Sequence, residues 1–161
     1  MIKPDIYIDL GDTGEWELFS NHHWKALDRP PDHILIPMLD KSVDVVNSGM
    51  NQIDESLDIA NCEVRHFVQG NHEVWLDNFA KKETRPRFLT KNALMLNERG
   101  YKYHPYFRKR PLKIGKLNFT HGHRTGMHHA KAHLIMYGES VMYGHTHDLQ
   151  RHTHTGLGGT I

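Results

Sequence analysis

Four short stretches of this chain carry side chains that bind metal ions or move protons. Val68-Gln69-Gly70-Asn71-His72-Glu73 closes an apolar run (Val64, Phe67, Val68) at a glycine, then presents an amide, an imidazole and a carboxylate. Glycine permits a tight turn there, and polar side chains just past a strand end face a cleft. Gly11-Asp12 lies upstream, while Thr120-His121-Gly122-His123 and Gly144-His145-Thr146-His147 lie downstream, each after a short apolar stretch. Taken singly, these residues have ordinary readings: Asp12 as a turn or cap aspartate, Asn71 as a turn former, His72 and His121 as half-buried, hydrogen-bonded histidines. Together they point to loops at one edge of a sheet that converge on a metal centre, because carboxylate, amide oxygen and neutral imidazole are ligands of divalent cations. The histidine supply agrees, with 15 in 161 residues and nine of them between His121 and His154, more than packing requires.

The elements that must position these loops can be read from hydrophobic periodicity. Ile6, Ile8 and Leu10 predict a buried strand from Asp5 to Leu10 that delivers Asp12 to the sheet edge. Asp12 to Trp24 reads as loop or short helix, and Arg29-Pro30-Pro31-Asp32 breaks the chain before the next element. From Pro37 to about Ala60 the positions Met38, Leu39, Val43, Val46, Met50, Ile53 and Leu57 recur at helical spacing, with Pro37 suited to a first turn. Glu63 to Val68 predicts the next strand, and a short helix through Trp75, Leu76 and Phe79 ends before Arg85-Pro86. Thr90 to Arg99 predicts another short helix stopped by Gly100, and Tyr101 to Pro111, aromatic and basic with two prolines, predicts a surface loop. Leu112 to Phe119 reads as two strands about a tight turn, with a helix from about His128 to Tyr137 after them. A strand from Ser140 to Tyr143 then feeds His145, and Leu149 to Thr155 is strand-like. This alternation predicts an α/β class with layered sheets, and the length suits a single domain, residues 1–161, around one core.

Composition excludes some functions. With 20 basic against 19 acidic residues the formal charge is +1, so no overall field draws the chain to nucleic acid or an anionic membrane. The single Cys62 rules out an internal disulfide framework, fits a reducing compartment and reads as a small buried apolar group. No stretch approaches the roughly 20 apolar residues of a membrane span, and the N-terminus lacks a signal-peptide pattern. The expectation is a cytoplasmic protein with no membrane partner.

The ordered set Gly11-Asp12, Gly70-Asn71-His72-Glu73, His121-Gly122-His123 and Gly144-His145-Thr146-His147 resembles the calcineurin-like metallophosphoesterases, and the resemblance runs through nearly the whole chain. It implies a layered β-sandwich flanked by helices, an αββα arrangement. It also implies hydrolysis of a phosphomonoester or phosphodiester with two divalent ions drawn from Mn, Fe, Zn, Ni or Mg. The resemblance assigns Asp12, Asn71, His121 and His145 to one ion and His147 to the second, with Asp12 as the bridge. A bridging anion answers a physical need, since two cations about 4 Å apart repel strongly. His72 takes the place of the family's non-ligand histidine, which contacts the phosphate and protonates the leaving oxygen. His123 and Glu73 are expected to meet substrate or to support the site. The implied reaction is attack on phosphorus by a water whose pKa the cations lower.

The family's first motif, an aspartate and a histidine separated by one residue, has no counterpart before Gly11-Asp12. The resemblance therefore implies an incomplete domain, cut ahead of Met1 and again after the glycine-rich tail that ends at Ile161. The second ion would keep only Asp12 and His147, with Asp9 or Asp148 as substitute carboxylates, so one bound ion is expected rather than two. An open sheet edge beside the missing strand implies self-association. Two other functions compete: a non-catalytic remnant that binds one metal through Asp12, Asn71, His121 and His145, and a nucleic-acid module. The latter would use Tyr101, Tyr103, Tyr106, Phe107, Arg108, Lys109 and Arg110 to stack bases and pair phosphates. His22 and His23 are candidates for a helper role, whereas His128, His129, His133, His152 and His154 read as surface or helix-face residues.

Overall fold

The computed structural model describes residues 3–20, 29–106, 110–156 and 159–161. The first half builds a parallel sheet from β1 (Ile6–Asp9), β2 (Val64–Val68) and β3 (Tyr101–His104), in the order β1-β2-β3 with Ile8 opposite His66 and Phe67 opposite Tyr103. Parallel neighbours cannot be joined by a hairpin, so each needs a crossover. Helix α1 (Asp32–Ile59) makes the first, and α2 (Asn71–Lys82) with the single turn α3 (Thr90–Ala93) makes the second. Leu35, Leu39, Met50 and Leu57 form the buried stripe of α1, and they share the core with Trp16, Phe67, Leu76, Phe79, Leu94, Leu96 and Tyr101. Cys62 is buried, as its composition reading required.

The second half carries a mixed sheet of β4 (Leu112–Ile114), β5 (Leu117–Thr120) and β6 (Val141–Tyr143). β4 and β5 form an antiparallel hairpin turned at Gly115, whose φ of 59° lies in the left-handed region open to glycine. β5 and β6 are parallel, with Thr120 opposite Tyr143, and α4 (His129–Tyr137) is their crossover. Gly138 ends α4 in the left-handed conformation and returns its N–H to the Leu134 carbonyl at 2.9 Å. A two-residue ribbon, β7 (Thr155–Gly156) and β8 (Gly159–Thr160), closes the described chain. The fold class is thus mixed α/β, as the alternation predicted. Among the described residues no helix is long and apolar enough to cross a membrane, and β1 pairs with no strand besides β2.

Several boundaries differ from the sequence reading. α1 starts at Asp32 rather than Pro37, because Pro31 already offers its carbonyl to the N–H groups of Ile34 and Leu35 at 2.9 and 3.0 Å. Pro37 sits inside the helix and leaves the His33 carbonyl without its helical donor. The helix expected over Thr90 to Arg99 lasts one turn, since Met95 takes a φ of 50°. The loop expected from Tyr101 begins instead as strand β3, with Tyr101 buried and its hydroxyl donating to Asp54 at 3.0 Å. The strand-like stretch from Leu149 contributes only its end, Thr155, to the terminal ribbon.

Candidate metal centre

The loop after β1 turns through two residues at positive φ, Gly11 at 84° and Asp12 at 57°. It lies directly against the loop after β2. A Cβ built on Gly11 would sit 2.3 Å from the Gly70 nitrogen, and one on Gly70 would sit 2.2 Å from Asp12 Oδ1. Two glycines therefore let two backbones touch. Glu73, in the first turn of α2 and wholly buried, locks the contact. Its Oε2 accepts the N–H groups of Asp12 and Gly70 at 2.8 and 2.9 Å, and its Oε1 accepts those of Thr13 and the Trp16 indole at 2.9 and 3.2 Å. Burial pushes the Glu73 carboxyl above its ordinary range, with these four donors pulling toward the ionised form. Asp9 braces the same turn, taking the Gly11 N–H at 2.8 Å and the Thr13 hydroxyl at 3.2 Å.

Onto this frame the second sheet brings two histidines. His121, one residue past β5, is 1% exposed and places Nδ1 2.7 Å from the Leu10 carbonyl. A carbonyl can only accept, so Nδ1 carries the proton and Nε2 points inward as the ligating nitrogen. Around that Nε2 lie Asp12 Oδ2 at 3.0 Å, Asn71 Oδ1 at 3.0 Å and His145 Nδ1 at 3.1 Å. The ligand atoms of Asp12, His121 and His145 all fall within 4.8 Å of one another. A single proton on Nε2 satisfies one of the two oxygens, Asp12 Oδ2 or Asn71 Oδ1; a cation at their centre would take all four groups as ligands. Burial alone would lower the His121 pKa, yet the adjoining Asp12 carboxylate overrides it and holds the pKa above the ordinary value. Burial likewise pushes Asp12 up, but His121 and the His72 backbone N–H carry it below the usual carboxylate range. His145 is held down by burial first and by His121 second, so it stays a neutral donor. One carboxylate, one amide oxygen and two imidazoles suit Mn, Fe, Zn or Ni.

The remaining expected residues lie at different distances from this point. His72, the second residue of α2, gives its backbone N–H to Asp12 Oδ1 at 2.9 Å, so that Asp12 sits on the positive end of the helix. Its imidazole Nε2 is 3.9 Å from Asp12 Oδ2, and its ring stacks on Trp75. Glu73 lies beneath the loop rather than in the cleft, with both oxygens committed to N–H groups. His123 is half-buried, its ring 5.2 Å from that of His133. His147 is exposed at a φ of 54° and stands apart from the ligand group. It shares with His145, His129 and Asp148 an open cleft of about 520 Å³. Neither substitute carboxylate belongs to the group of ligand atoms gathered on His121: Asp9 is engaged by its own turn, and Asp148 pairs with His129 at 3.0 Å. Tyr101 and Tyr103 pack on the core, away from any exposed stacking surface. His22, His23, Phe107, Arg108 and Lys109 lie outside the described residues.

Two of the histidines read as surface or helix-face residues lie on the buried face of α4. His129 and His133 face inward on α4 with Ala130 and Leu134. His133 is fully buried; its Nδ1–H donates to the His129 carbonyl at 2.9 Å and its Nε2 accepts the His123 N–H at 3.2 Å. Burial lowers its pKa to about 4, which keeps the ring neutral. Stacked on Tyr143 with ring centres 3.9 Å apart, it wedges the His121 loop against the strand that leads to His145. His129 bonds the Tyr143 hydroxyl on one side and Asp148 on the other, tying both ends of the Gly144-to-His147 loop to α4. The four-residue spacing of the two histidines, in step with Ala130 and Leu134, was the available signal. Comparison of the chain with protein-family models, with curated proteins and with solved structures gave no match.

Proposed function

We propose that this chain binds a divalent cation through Asp12, Asn71, His121 and His145 and hydrolyses a phosphomonoester or phosphodiester in the cleft beside it. The carrying observation is the convergence of Asp12 Oδ2, Asn71 Oδ1 and His145 Nδ1 at 3.0–3.1 Å on His121 Nε2, in a ring whose Nδ1 proton is already spent on Leu10. The four ligands leave the carboxyl ends of β1, β2, β5 and β6, which is where open α/β sheets hold their ligands. The resemblance to calcineurin-like metallophosphoesterases supports the same reading, and with it a layered αββα arrangement in a cytoplasmic setting. A cation bound there supplies Lewis acidity, lowering the pKa of a water and drawing charge from phosphate oxygens.

The chain's own groups would do the rest. Asp12 is aimed by the His72 N–H and by the Glu73-held turn, so its Oδ2 is fixed before any ion arrives. His72 Nε2, beside that carboxylate, is placed to give a proton to the leaving oxygen. His147 leaves a second ion with few protein ligands, which favours one bound cation per chain. The test is Mn binding by calorimetry together with turnover of bis-p-nitrophenyl phosphate. Binding near one ion per chain with turnover that N71A abolishes is expected. Stoichiometric binding without turnover selects the non-catalytic metal binder, and no binding refutes the proposal.

A further inference from the structure

Histidines that transfer protons are ordinarily aimed by a hydrogen bond at the second ring nitrogen. Among the described residues no hydrogen bond reaches either ring nitrogen of His72, and the Asp12 carboxylate stands off at 3.9 Å. What the imidazole does have is a face. Three residues further along α2, the Trp75 indole lies 4.4 Å away, centre to centre, at an interplanar angle of 23°. The spacing of three puts the two side chains on one side of the helix, and the backbone N–H of His72 is already fixed on Asp12 Oδ1 at 2.9 Å. With the main chain pinned and the ring face covered, the plane of the imidazole is set, and Nε2 lies in that plane on the Asp12 side, 3.9 Å from Oδ2.

From this geometry, and resting on the phosphoesterase reading above, we infer that Trp75 is the positioning residue for proton delivery, its indole face holding the His72 ring so that Nε2 points at the leaving-group oxygen. In the step it serves, the bond from phosphorus to the leaving oxygen breaks and its electron pair stays on that oxygen. The leaving oxygen takes the proton from His72 Nε2. A water oxygen bonds to phosphorus and sheds its proton to solvent, from which His72 is recharged. A flat aromatic face suits this duty because it fixes the ring plane without competing for its N–H groups.

The test compares wild type, W75A, W75F and H72A on a p-nitrophenyl phosphoester and its unsubstituted phenyl counterpart. p-Nitrophenolate departs without help, whereas phenolate needs a proton, so lost aiming strikes the phenyl ester selectively. W75A is expected to lose about tenfold in kcat on the phenyl ester, a fraction of the whole general-acid effect. On the p-nitrophenyl ester it should lose little, with KM unchanged on both, and W75F should restore most of the loss by stacking in its turn. Independently of turnover, the His72 ring protons of the metal-free wild type should resonate upfield, shielded by the indole, and return downfield in W75A. Equal losses on the two esters, unaltered His72 resonances in W75A, or a W75F no better than W75A would each overturn the positioning role. A wild type that turns over neither ester refutes the phosphoesterase reading itself, while an active wild type matched by W75A refutes only the assignment to Trp75.

Discussion

Replacing Glu73 by glutamine probes the device that holds the candidate site together. The carboxylate serves two N–H groups with each oxygen, Asp12 and Gly70 on Oε2, Thr13 and Trp16 on Oε1. An amide of the same shape keeps one oxygen and turns an NH2 group toward the other pair, so two buried N–H groups lose their acceptor. Each orphaned group costs about 1–3 kcal/mol, which puts the pair at about 2–6 kcal/mol. A neutral amide is cheaper to bury than a carboxylate, and this offset brings the expected loss to about 2–4 kcal/mol. Domain stabilities run at about 5–15 kcal/mol, so Glu73→Gln should stay folded at room temperature with a Tm lower by roughly 5–15 °C. Urea unfolding with chelator present, monitored by far-UV circular dichroism, measures the loss, and a Mn titration of the folded variant measures the consequence. Because two of the four N–H groups belong to Asp12 and Thr13, cation affinity should fall alongside stability. A loss below about 0.5 kcal/mol, the range of an ordinary surface change, or unaltered Mn affinity would refute the reasoning.

Asn71→Ala should weaken Mn binding at least about tenfold, whereas His147→Ala should leave that first-ion affinity unchanged; both are read by calorimetry. Cation affinity should also fall as pH drops through the raised His121 pKa, by up to about tenfold per unit, since the proton and the ion compete for Nε2. His133 makes a stability prediction of definite sign. Its folded pKa of about 4 lies below the 6.5 of an unfolded histidine, so the unfolded chain binds the proton first. The stabilisation is therefore complete above pH 6.5, is lost as pH falls toward 4, and amounts to about 3 kcal/mol. Urea midpoints of the metal-free protein across that window should slope in wild type and flatten in His133→Leu. Gly11→Ala would set a Cβ 2.3 Å from the Gly70 nitrogen at a φ of 84°, and should cost about 2 kcal/mol or more in thermal or urea unfolding.

The ligand constellation was legible because each ligand sits immediately past an apolar run, and a strand's end is a local property. Asp12, Asn71, His121 and His145 accordingly meet where the sequence reading put them. Supporting contacts were harder to see, since they depend on which helix face is covered. His129 and His133 look like polar surface residues until α4 is packed, and Glu73 gives no sign in sequence that its partners are N–H groups some 60 residues away. β3 was missed for a related reason: Tyr101-Lys102-Tyr103-His104 carries no aliphatic residue, and its aromatic rings bury one face while Lys102 stays exposed. Pro37 misled the helix start because proline is tolerated deeper in a helix when packing on either side outweighs one lost bond. His147 shows the limit of motif spacing, for two residues beyond His145 the side chain is exposed on a left-handed backbone and is not among the ligand atoms gathered on His121.

The hydrogen bond from His121 to the Leu10 carbonyl joins positions 111 residues apart and stitches one sheet to the other. Any ion held between Asp12 and His145 fastens across that same seam, so occupancy and unfolding become thermodynamically linked. An ion at a hundred times its dissociation constant adds about 2.7 kcal/mol to the folded state. The seam thereby makes the melting temperature itself a gauge of ion loading, legible without any substrate in hand.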